Sequence, residues 1–476
     1  MQKRKYKQYI NAALEILQGH GLGLGEYSFS DNSVQQQMFY LNPSPITILE
    51  TLCKKFLPQN VSAILYVTRD ESYGRNTASS QYFLQLTGYL GIPVIAWNAD
   101  NSGLEQASQT GMILQLAPSI HHQAHAMLSI LVYYNWHAFT IITTKIAGHQ
   151  DFVETVLEKT SHFSDPKDTS TQNFKFTIID TIEIESAKTD LQAVKNSEAR
   201  ILLLYSTKDE AEDIMIAARD LGLTGKNFVW IVTQSVIGEN LESRTTFPVG
   251  MLGVHFDTDK TAVYEGIVKT IRTFAYGVES FLADPRNAHV NLIPKLDCSG
   301  SGMIEWEAGE SFYRYLNNVS ISYSKFVIDD PDNKKGDRPP VQFDVNGNRR
   351  DIELKIVNLR DSTGGTDRSW ESIGTWRSWE KDGLNVNGIV WPGYAHLNPP
   401  GVPEKFHLKI TFMDEPPYIT MTPPDSNLGR LVKNNKYFFN HNFKVIFKLW
   451  TALIGILYFL TLVFSAALSK DTFLLS

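Results

Sequence analysis

The sequence has 476 residues, of which 43% are hydrophobic and 20% are charged, a composition typical of a globular protein with two or three domains. The net charge of −7 argues against nucleic acid as the main partner, because phosphate binding requires concentrated lysine and arginine. The two cysteines, Cys53 and Cys298, are far apart, and sequence alone leaves both a disulfide and two buried free thiols open.

The first predicted element is an amphipathic helix over residues 6–17, which follows the basic cluster Lys3-Arg4-Lys5. This segment lacks the continuous apolar region of a secretory signal, so the sequence as written predicts no cleaved signal peptide. Parallel sheets normally begin with a strand, and none is predicted before this helix. We therefore expect the first strand of the sheet to be missing from the sequence.

Short β-rich segments alternate with helical patterns from Ser44 to Phe256. This alternation is typical of βα units, in which helices cover both faces of a parallel sheet. Two helix starts have local signals: Ser44-Pro45 at the first helix, and the capping box from Thr207 to Glu210. The predicted strands are 62–68, 93–97, 138–144, 200–206 and 228–233. There are too many units for one small sheet, so we predict an α/β protein with two Rossmann-like lobes.

No catalytic motif stands out, because P-loop, GxSxG, HExxH and paired CxxC patterns are all missing from the sequence. His121 and His125 have the i,i+4 spacing of metal ligands, but with His122 they are interpreted as exposed or capping residues of one helix. Ligands of open parallel sheets bind beyond the carboxyl ends of strands, often at a helix N-terminus. Ser119, after a strand and before a helix, is therefore a cleft candidate, with an ordinary N-cap as the alternative.

The character of the chain changes after residue 300. A polar loop is followed by a predicted hairpin turn at Asn346-Gly347, and a proline-rich linker is predicted over 396–405. Near the C-terminus, residues 449–468 form an uncharged run that is long enough to span a membrane as a helix. A buried core helix is the alternative, but such helices are rarely apolar on every face.

Two long segments carry a family resemblance, APSIHHQAHAMLSILVYYNWHAFTIITTKIAGHQDFV and RILLLYSTKDEAEDIMIAARDLGLTGKNFVWIVTQSVIG. The pieces RYLNNVSISYS, FDVNGNRR, IGTW, WPG and HLKITFMDEPPYI continue it in the right order. Together they resemble the amino-terminal domain of the glutamate-binding, type 2 subunits of NMDA receptors. The resemblance covers roughly residues 6–422 and depends on the number and order of the pieces, since none is decisive alone.

The resemblance implies a bilobed, periplasmic-binding-protein-like clamshell that is extracellular, regulatory and not an enzyme. It also implies assembly with glycine-binding NMDA receptor subunits in the postsynaptic plasma membrane, and glutamate as the agonist of the full-length receptor. The expected organisation is a clamshell over 1–395, a linker over 396–405, a truncated first strand of an agonist-binding domain over 406–425, a tail unlike the family over 426–448 and a transmembrane helix over 449–468.

Several residues acquire expected roles from the resemblance. It implies a disulfide between Cys53 and Cys298 and glycosylation of Asn318, while the sequon at Asn60 is a weaker candidate because it abuts a buried strand. His137 matches a cleft histidine of zinc-sensitive members. The second zinc histidine follows the strand that this sequence lacks, so we expect a packing histidine instead and no cofactor beyond zinc as a modulator. Glu415 marks the start of the agonist-binding domain.

Two interpretations of the whole chain follow. In the first it is an incomplete receptor subunit that cannot itself conduct ions, since it has no pore segment that resembles the family. In the second the apolar run tethers the clamshell to a membrane as a single-span binding or decoy variant that assembles with receptor subunits. A clamshell of another receptor family is a weaker alternative, because HLKITFMDEPPYI matches the start of an agonist-binding domain.

Overall fold

The chain divides into two compact units, Met1–Pro403 and Glu404–Ser476. The computed structural model describes residues 2–19, 43–67, 78–97, 111–162, 174–298, 305–322, 338–361, 367–381, 383–403, 437–438 and 474–475. The agonist-domain strand predicted over 406–425, with Glu415, and the helix predicted over 449–468 lie outside these residues. Within the part that the structure describes, no helix is both long and apolar enough to cross a membrane.

The first unit contains helices and strands that alternate along most of its length. The helices are α1 Gln2–Gly19, α2 Pro45–Thr51, α3 Ala78–Tyr89, α4 Ile120–Tyr133, α5 His149–His162, α6 Ala187–Asn196, α7 Lys208–Leu221, α8 Gln234–Ile237, α9 Lys260–Ala283 and α10 Gly309–Asn317. The strands are β1 Ile64–Val67, β2 Val94–Trp97, β3 Ile113–Gln115, β4 Ala138–Thr143, β5 Thr177–Glu183, β6 Ile201–Tyr205, β7 Val229–Val232, β8 Leu252–His255, β9 Glu353–Asp361, β10 Arg368–Arg377 and β11 Leu384–Val386. In the second unit, β12 Tyr437–Phe438 pairs antiparallel with β13 Leu474–Leu475.

The first lobe is built on the parallel sheet β1-β2-β3. Helix α9 packs on this sheet, where Gly266 leaves room for the Trp97 ring: a Cβ at Gly266 would lie 2.6 Å from that ring. Helices α1 and α10 cover α9 through the ring pairs Tyr9–Tyr264 and Phe281–Phe312. The sheet is extended by a parallel bridge between Gln115 and Asn348, which brings a late segment of the chain into the first lobe.

The second lobe contains an eight-stranded sheet in the order β11-β10-β9-β8-β7-β6-β4-β5. Strands β4 to β8 are parallel, and β9 to β11 are antiparallel. The predicted α/β lobes are therefore present, but this sheet is mixed rather than purely parallel. The difference arises because the chain returns from the first lobe at residue 353 and adds a meander to the edge of β8.

Local sequence signals account for several element boundaries. The Ser44 hydroxyl accepts the Thr47 N–H at 3.2 Å and caps α2. The predicted capping box of α7 is present, because Thr207 Oγ1 accepts the Glu210 N–H at 3.1 Å, and the helix ends at the left-handed residue Gly222. The predicted turn at Asn346-Gly347 is also present, although its arms form only an isolated bridge, Phe343–Arg349, instead of a regular hairpin.

Candidate functional site at the lobe junction

The carboxyl ends of β4 and β6 carry polar residues that bind one another. The Thr144 hydroxyl donates to Glu210 Oε2 at 2.7 Å, and the Thr207 hydroxyl donates to the same oxygen at 3.0 Å. One carboxylate therefore joins the loop after β4 to the N-terminus of α7. This edge of the sheet is the expected ligand crevice of a parallel fold. Its Thr144, Thr207 and Glu210 side chains are hydrogen-bonded to one another.

Apolar and aromatic side chains fill the adjacent part of the same edge. The Tyr205 hydroxyl donates to the Ala147 carbonyl at 2.6 Å, and its ring stacks on Phe152 with centroids 5.1 Å apart. Gly148 has a φ of +79°, and a Cβ there would lie 2.3 Å from Ile120 Cδ1. The loop after β4 is therefore packed against the start of α4, which leaves little polar surface for a small charged ligand on this side.

Ser119, the cleft candidate, is the N-terminal cap residue of α4 and is 1% exposed. Its backbone N–H donates to His122 Nδ1 at 3.2 Å, and its hydroxyl lies 2.7 Å from the same nitrogen. Because the backbone N–H can only donate, Nδ1 is the acceptor, and the neutral ring carries its proton on Nε2. Burial, the largest cause, and neighbouring positive charge lower the pKa of His122 to about 3, which favours this neutral form.

His121 and His125 point to different partners. His121 Nδ1 lies 2.8 Å from Thr155 Oγ1 on α5, whereas the His125 ring contacts the edge of Trp376 with centroids 5.2 Å apart. The three histidines were interpreted as exposed or capping residues. His122 is a capping residue, because its ring accepts the Ser119 N–H at the start of α4. None of the three is fully exposed, since each is partly buried between α4 and its neighbours. In the described ranges, no group of three or more His, Cys, Asp or Glu residues is arranged to hold a metal ion.

His137 lies on the surface immediately before β4, at the amino end of that strand. Its Nδ1 donates to the Lys175 carbonyl at 3.0 Å, and its ring stacks on Phe174 with centroids 4.3 Å apart. The ligand crevice of a parallel sheet lies at the opposite, carboxyl end of the strands. The role of His137 in zinc binding stays a prediction, and its present contacts are those of a packing residue.

A disulfide joins Cys53 and Cys298, whose Cα atoms are 5.7 Å apart. Cys53 lies in the π-helical turn Leu52–Phe56 after α2, and Cys298 lies in the segment after α9. This is the pairing that the family resemblance implies. It fixes the segment after α9 to the outer helices of the first lobe.

Both predicted glycosylation residues are exposed. Asn318 follows the last turn of α10, and Asn60 ends the short 3₁₀ turn Leu57–Gln59 with a left-handed φ of 53°. The buried strand β1 begins only at Ile64, so it does not cover the Asn60 side chain. An oligosaccharide would reach either asparagine without displacing a packed side chain.

If the chain is expressed through a secretory pathway, we expect Asn318→Gln to remove one N-linked glycan, because the sequon Asn318-Val319-Ser320 lies on an exposed helix end. Gel mobility before and after glycosidase treatment measures the change. Asn317→Gln is the matched control, since Asn317 is adjacent but outside the sequon. Equal mobility of Asn318→Gln and the untreated parent would contradict the assignment.

A buried amide relay at the junction was not predicted from the sequence. Gln123 Oε1 on α4 accepts the Gln234 N–H at 3.0 Å, and Gln234 Oε1 in turn accepts the Phe256 N–H at 3.0 Å. Both glutamines are almost completely buried, at 4% and 0% exposure. Because 111 residues separate them, no local motif could have indicated this contact.

Comparison with known proteins places these features in a family. The sequence profile described as the receptor family ligand binding region matches residues 50–362. Curated relatives include glutamate [NMDA] receptor subunit 1 of Drosophila ananassae, Drosophila persimilis and Drosophila erecta, each 22% identical over 382 residues. The match covers 80% of this chain and 35% of each relative, so the chain spans about a third of their length.

Proposed function

This chain belongs to the receptor family of ligand-binding regions, and from that premise we propose that it is the regulatory and assembly domain of an NMDA-type glutamate receptor subunit. The observation that carries the proposal is the profile match over residues 50–362, which includes strands of both lobes. The relatives named as NMDA receptor subunits support the choice within the family. As a receptor domain the chain is not an enzyme.

The hydrogen bonds at the carboxyl ends of β4 and β6 favour a regulatory role for this domain. They argue against tight binding of a small amino acid there. The hydroxyls of Thr144 and Thr207 are bound to Glu210, and Tyr205 is bound to the Ala147 carbonyl. A carboxylate ligand at this edge would have to break these internal bonds. We therefore assign glutamate to the agonist-binding domain of the full-length receptor, whose start the sequence predicts at 406–425.

The disulfide supports an extracellular location, because such bonds persist in oxidising compartments. We place the clamshell outside the plasma membrane and propose a glycine-binding NMDA receptor subunit as its partner. The assignment to the glutamate-binding, type 2 class is a proposal from the sequence segments quoted above. The named relatives are subunit 1 proteins. They support the assignment to an NMDA-type receptor, and the subunit class is a matter for experiment.

A second candidate function is favoured by the uncharged run over 449–468. A single spanning helix would anchor the clamshell to a membrane. The anchored clamshell could then assemble with a receptor subunit without forming a channel. Full-length transcript sequences distinguish the two functions. Transcripts that continue from Asp425 into a pore-forming region support the receptor subunit, whereas mature transcripts that encode the run support the tethered variant.

We expect the chain, co-expressed with the amino-terminal domain of a glycine-binding NMDA receptor subunit, to form a one-to-one complex because both halves of the clamshell needed for pairing are present. Size-exclusion chromatography with light scattering measures the mass of the complex. The ligand-binding region of a metabotropic glutamate receptor is the control partner. Failure to bind the NMDA subunit, or equal binding to the control, would contradict the proposal.

A further inference from the structure

Two stretches of the chain have the same tripeptide, Val-Asn-Gly. One is residues 345–347, in the turn of the first lobe, and the other is residues 386–388, at the end of β11. An asparagine before glycine loses its side-chain amide most readily, because glycine has no Cβ to hinder attack by its own backbone nitrogen. Since the residue before each asparagine is also the same, the two sites have the same local chemistry in the unfolded chain. A difference between them in the folded protein must come from the structure.

Loss of the amide proceeds through a cyclic imide. The backbone nitrogen of the glycine forms a bond to Cγ of the asparagine and gives its proton to solvent. The bond between Cγ and Nδ2 then breaks and ammonia leaves, so that a succinimide remains. Water adds to one of the ring carbonyls and breaks the bond from that carbon to the nitrogen, which gives aspartate or isoaspartate. The reaction therefore needs a glycine N–H that is free to lose its proton and to approach the side chain.

The site at Asn346 is restrained by hydrogen bonds. The Gly347 N–H donates to the Asp344 carbonyl at 3.1 Å, so the attacking nitrogen is already engaged. Asp344 Oδ1 accepts the N–H groups of Asn346 and Asn348, each at 2.9 Å. Gly347 is buried, and its carbonyl accepts the Gln115 N–H at 2.8 Å. Closure of the imide ring would have to break some of these contacts.

The site at Asn387 is exposed. Both Asn387 and Gly388 lie on the surface, and a Cβ built at Gly388 would meet no atom within 4 Å. Within the described ranges, the Gly388 N–H donates to no acceptor, and the Asn387 side chain forms no hydrogen bond. The attacking nitrogen and the amide that it attacks can therefore meet without the loss of a contact that either of them makes.

Hydrogen bonds on each side of this site hold the surrounding chain in place. The Asn387 N–H donates to the Ile373 carbonyl at 3.0 Å, which continues the pairing of β11 with β10. At the other end, Asn358 Oδ1 accepts the Val390 N–H at 2.8 Å, and Asn358 Nδ2 donates to the Val390 carbonyl at 3.1 Å. The short segment between these attachments can change its conformation without unpairing β11.

We propose that Asn387 is a site of spontaneous deamidation in the folded protein and that the turn protects Asn346 from the same reaction. The product adds one negative charge to a chain whose net charge is −7. The new carboxylate lies beside the Gly388 carbonyl in sequence, and Arg360 of β9 donates to that carbonyl. In the isoaspartate product the side-chain methylene enters the main chain, so the Gly388 carbonyl must move relative to Arg360. The modification therefore changes the contact that joins the end of β11 to β9.

Peptide mapping by mass spectrometry of the unmodified full-length chain tests the proposal. During incubation at mildly alkaline pH, each deamidated peptide gains about 1 Da. In the folded protein we expect the peptide with Asn387 to convert at least about fivefold faster than the peptide with Asn346, the factor expected from the cost of breaking one hydrogen bond. Equal rates, or faster conversion at Asn346, would overturn the proposal. This comparison needs no variant, so it does not depend on the folding of a mutant.

The same chain in guanidinium chloride, with its disulfide reduced, is the matched control. Because both sites are Val-Asn-Gly, the two peptides should convert at nearly the same rate once the structure is lost. If Asn387 stayed as much faster under these conditions, the difference would come from the sequence and the proposal would fail. It would also fail if the folded chain showed no conversion at Asn387 over the time in which the unfolded chain is largely converted.

Three variants assign the signals and test the protection. Asn387→Gln and Asn346→Gln should each lose the mass change in their own peptide only, because glutamine would have to close a larger ring. Asp344→Ala removes the carboxylate that restrains the turn, so it should speed conversion at Asn346 and leave the rate at Asn387 unchanged. An unchanged rate at Asn346 in this variant would overturn the protective role of the turn.

Discussion

Replacing Cys53 and Cys298 together by serine is expected to lower the free energy of unfolding by about 4 kcal/mol, toward the upper end of the usual effect of a disulfide. The reason is the length of chain that the bond closes, since the two residues are 245 positions apart. Closing so long a loop removes much conformational freedom from the unfolded chain. Urea unfolding followed by circular dichroism measures the loss as a lower midpoint.

The single variants provide the control for this prediction. Cys53→Ser and Cys298→Ser each break the same bond, so each should destabilise the protein nearly as much as the double variant. The parent treated with a mild reductant should approach them. A double variant with the midpoint of the oxidised parent would show that the packing around α2 and the segment after α9 holds the two ends together without the bond.

Sequence predicted the elements whose causes are local. The capping serine at Ser44, the capping box from Thr207 to Glu210 and the glycine end of α7 at Gly222 all act within four residues or at a single backbone position. The buried strands β6 and β7 were predicted for a similar reason, because a continuous apolar run can only be satisfied inside a covered sheet. These features need no knowledge of the rest of the chain.

The junction could not be predicted, since its contacts join residues that are distant in sequence. Trp136 Nε1 donates to the Pro399 carbonyl across 263 residues, and Trp376 Nε1 donates to Ser129 Oγ across 247. The antiparallel addition of β9 to β8 was missed for the same reason, as the strand patterns do not encode their neighbours. Serine and glutamine at such contacts look like ordinary polar residues until the fold brings their partners together.

The histidines show how burial changes a sequence interpretation. Spacing on one helix favoured solvent-exposed or capping roles for His121, His122 and His125. His122 does cap the start of α4 through Ser119. The His121 and His125 rings are packed against other elements, because α4 is covered by α5 and by Trp376. Burial, the first cause in each case, lowers the pKa of His122 to about 3 and that of His125 to about 4. The neutral forms are thereby favoured throughout the physiological range.

His255 on β8 is buried and only 2% exposed. Burial is the main reason that its pKa is lowered to about 4. Lys355 lowers the pKa further, whereas Asp257 and the Gly238 backbone oppose the shift. Between pH 4 and pH 6.5, the His255 imidazole is therefore neutral in the folded protein and charged in the unfolded chain.

The protein is expected to lose stability as the pH falls from 6.5 toward 4, because the unfolded chain binds protons that the folded protein excludes. The contribution of a histidine with a lowered folded-state pKa is fully present above 6.5 and disappears as the pH approaches the folded value. For His255 the loss at pH 5 is about 2 kcal/mol. His122 and His125 are partly exposed, and each contributes a smaller loss. For the three histidines together we expect the free energy of unfolding to fall by roughly 4 kcal/mol. Urea unfolding at pH 7.5 and pH 5 measures this decrease.

His255→Leu isolates the largest part of this effect. The variant removes the titrating ring, so its stability should fall by about 2 kcal/mol less than that of the parent between the two pH values. His289→Gln is the matched control, because His289 is exposed and should leave the pH dependence unchanged. If His255→Leu and the parent lost the same stability on acidification, the His255 ring would be accessible to protons in the folded protein.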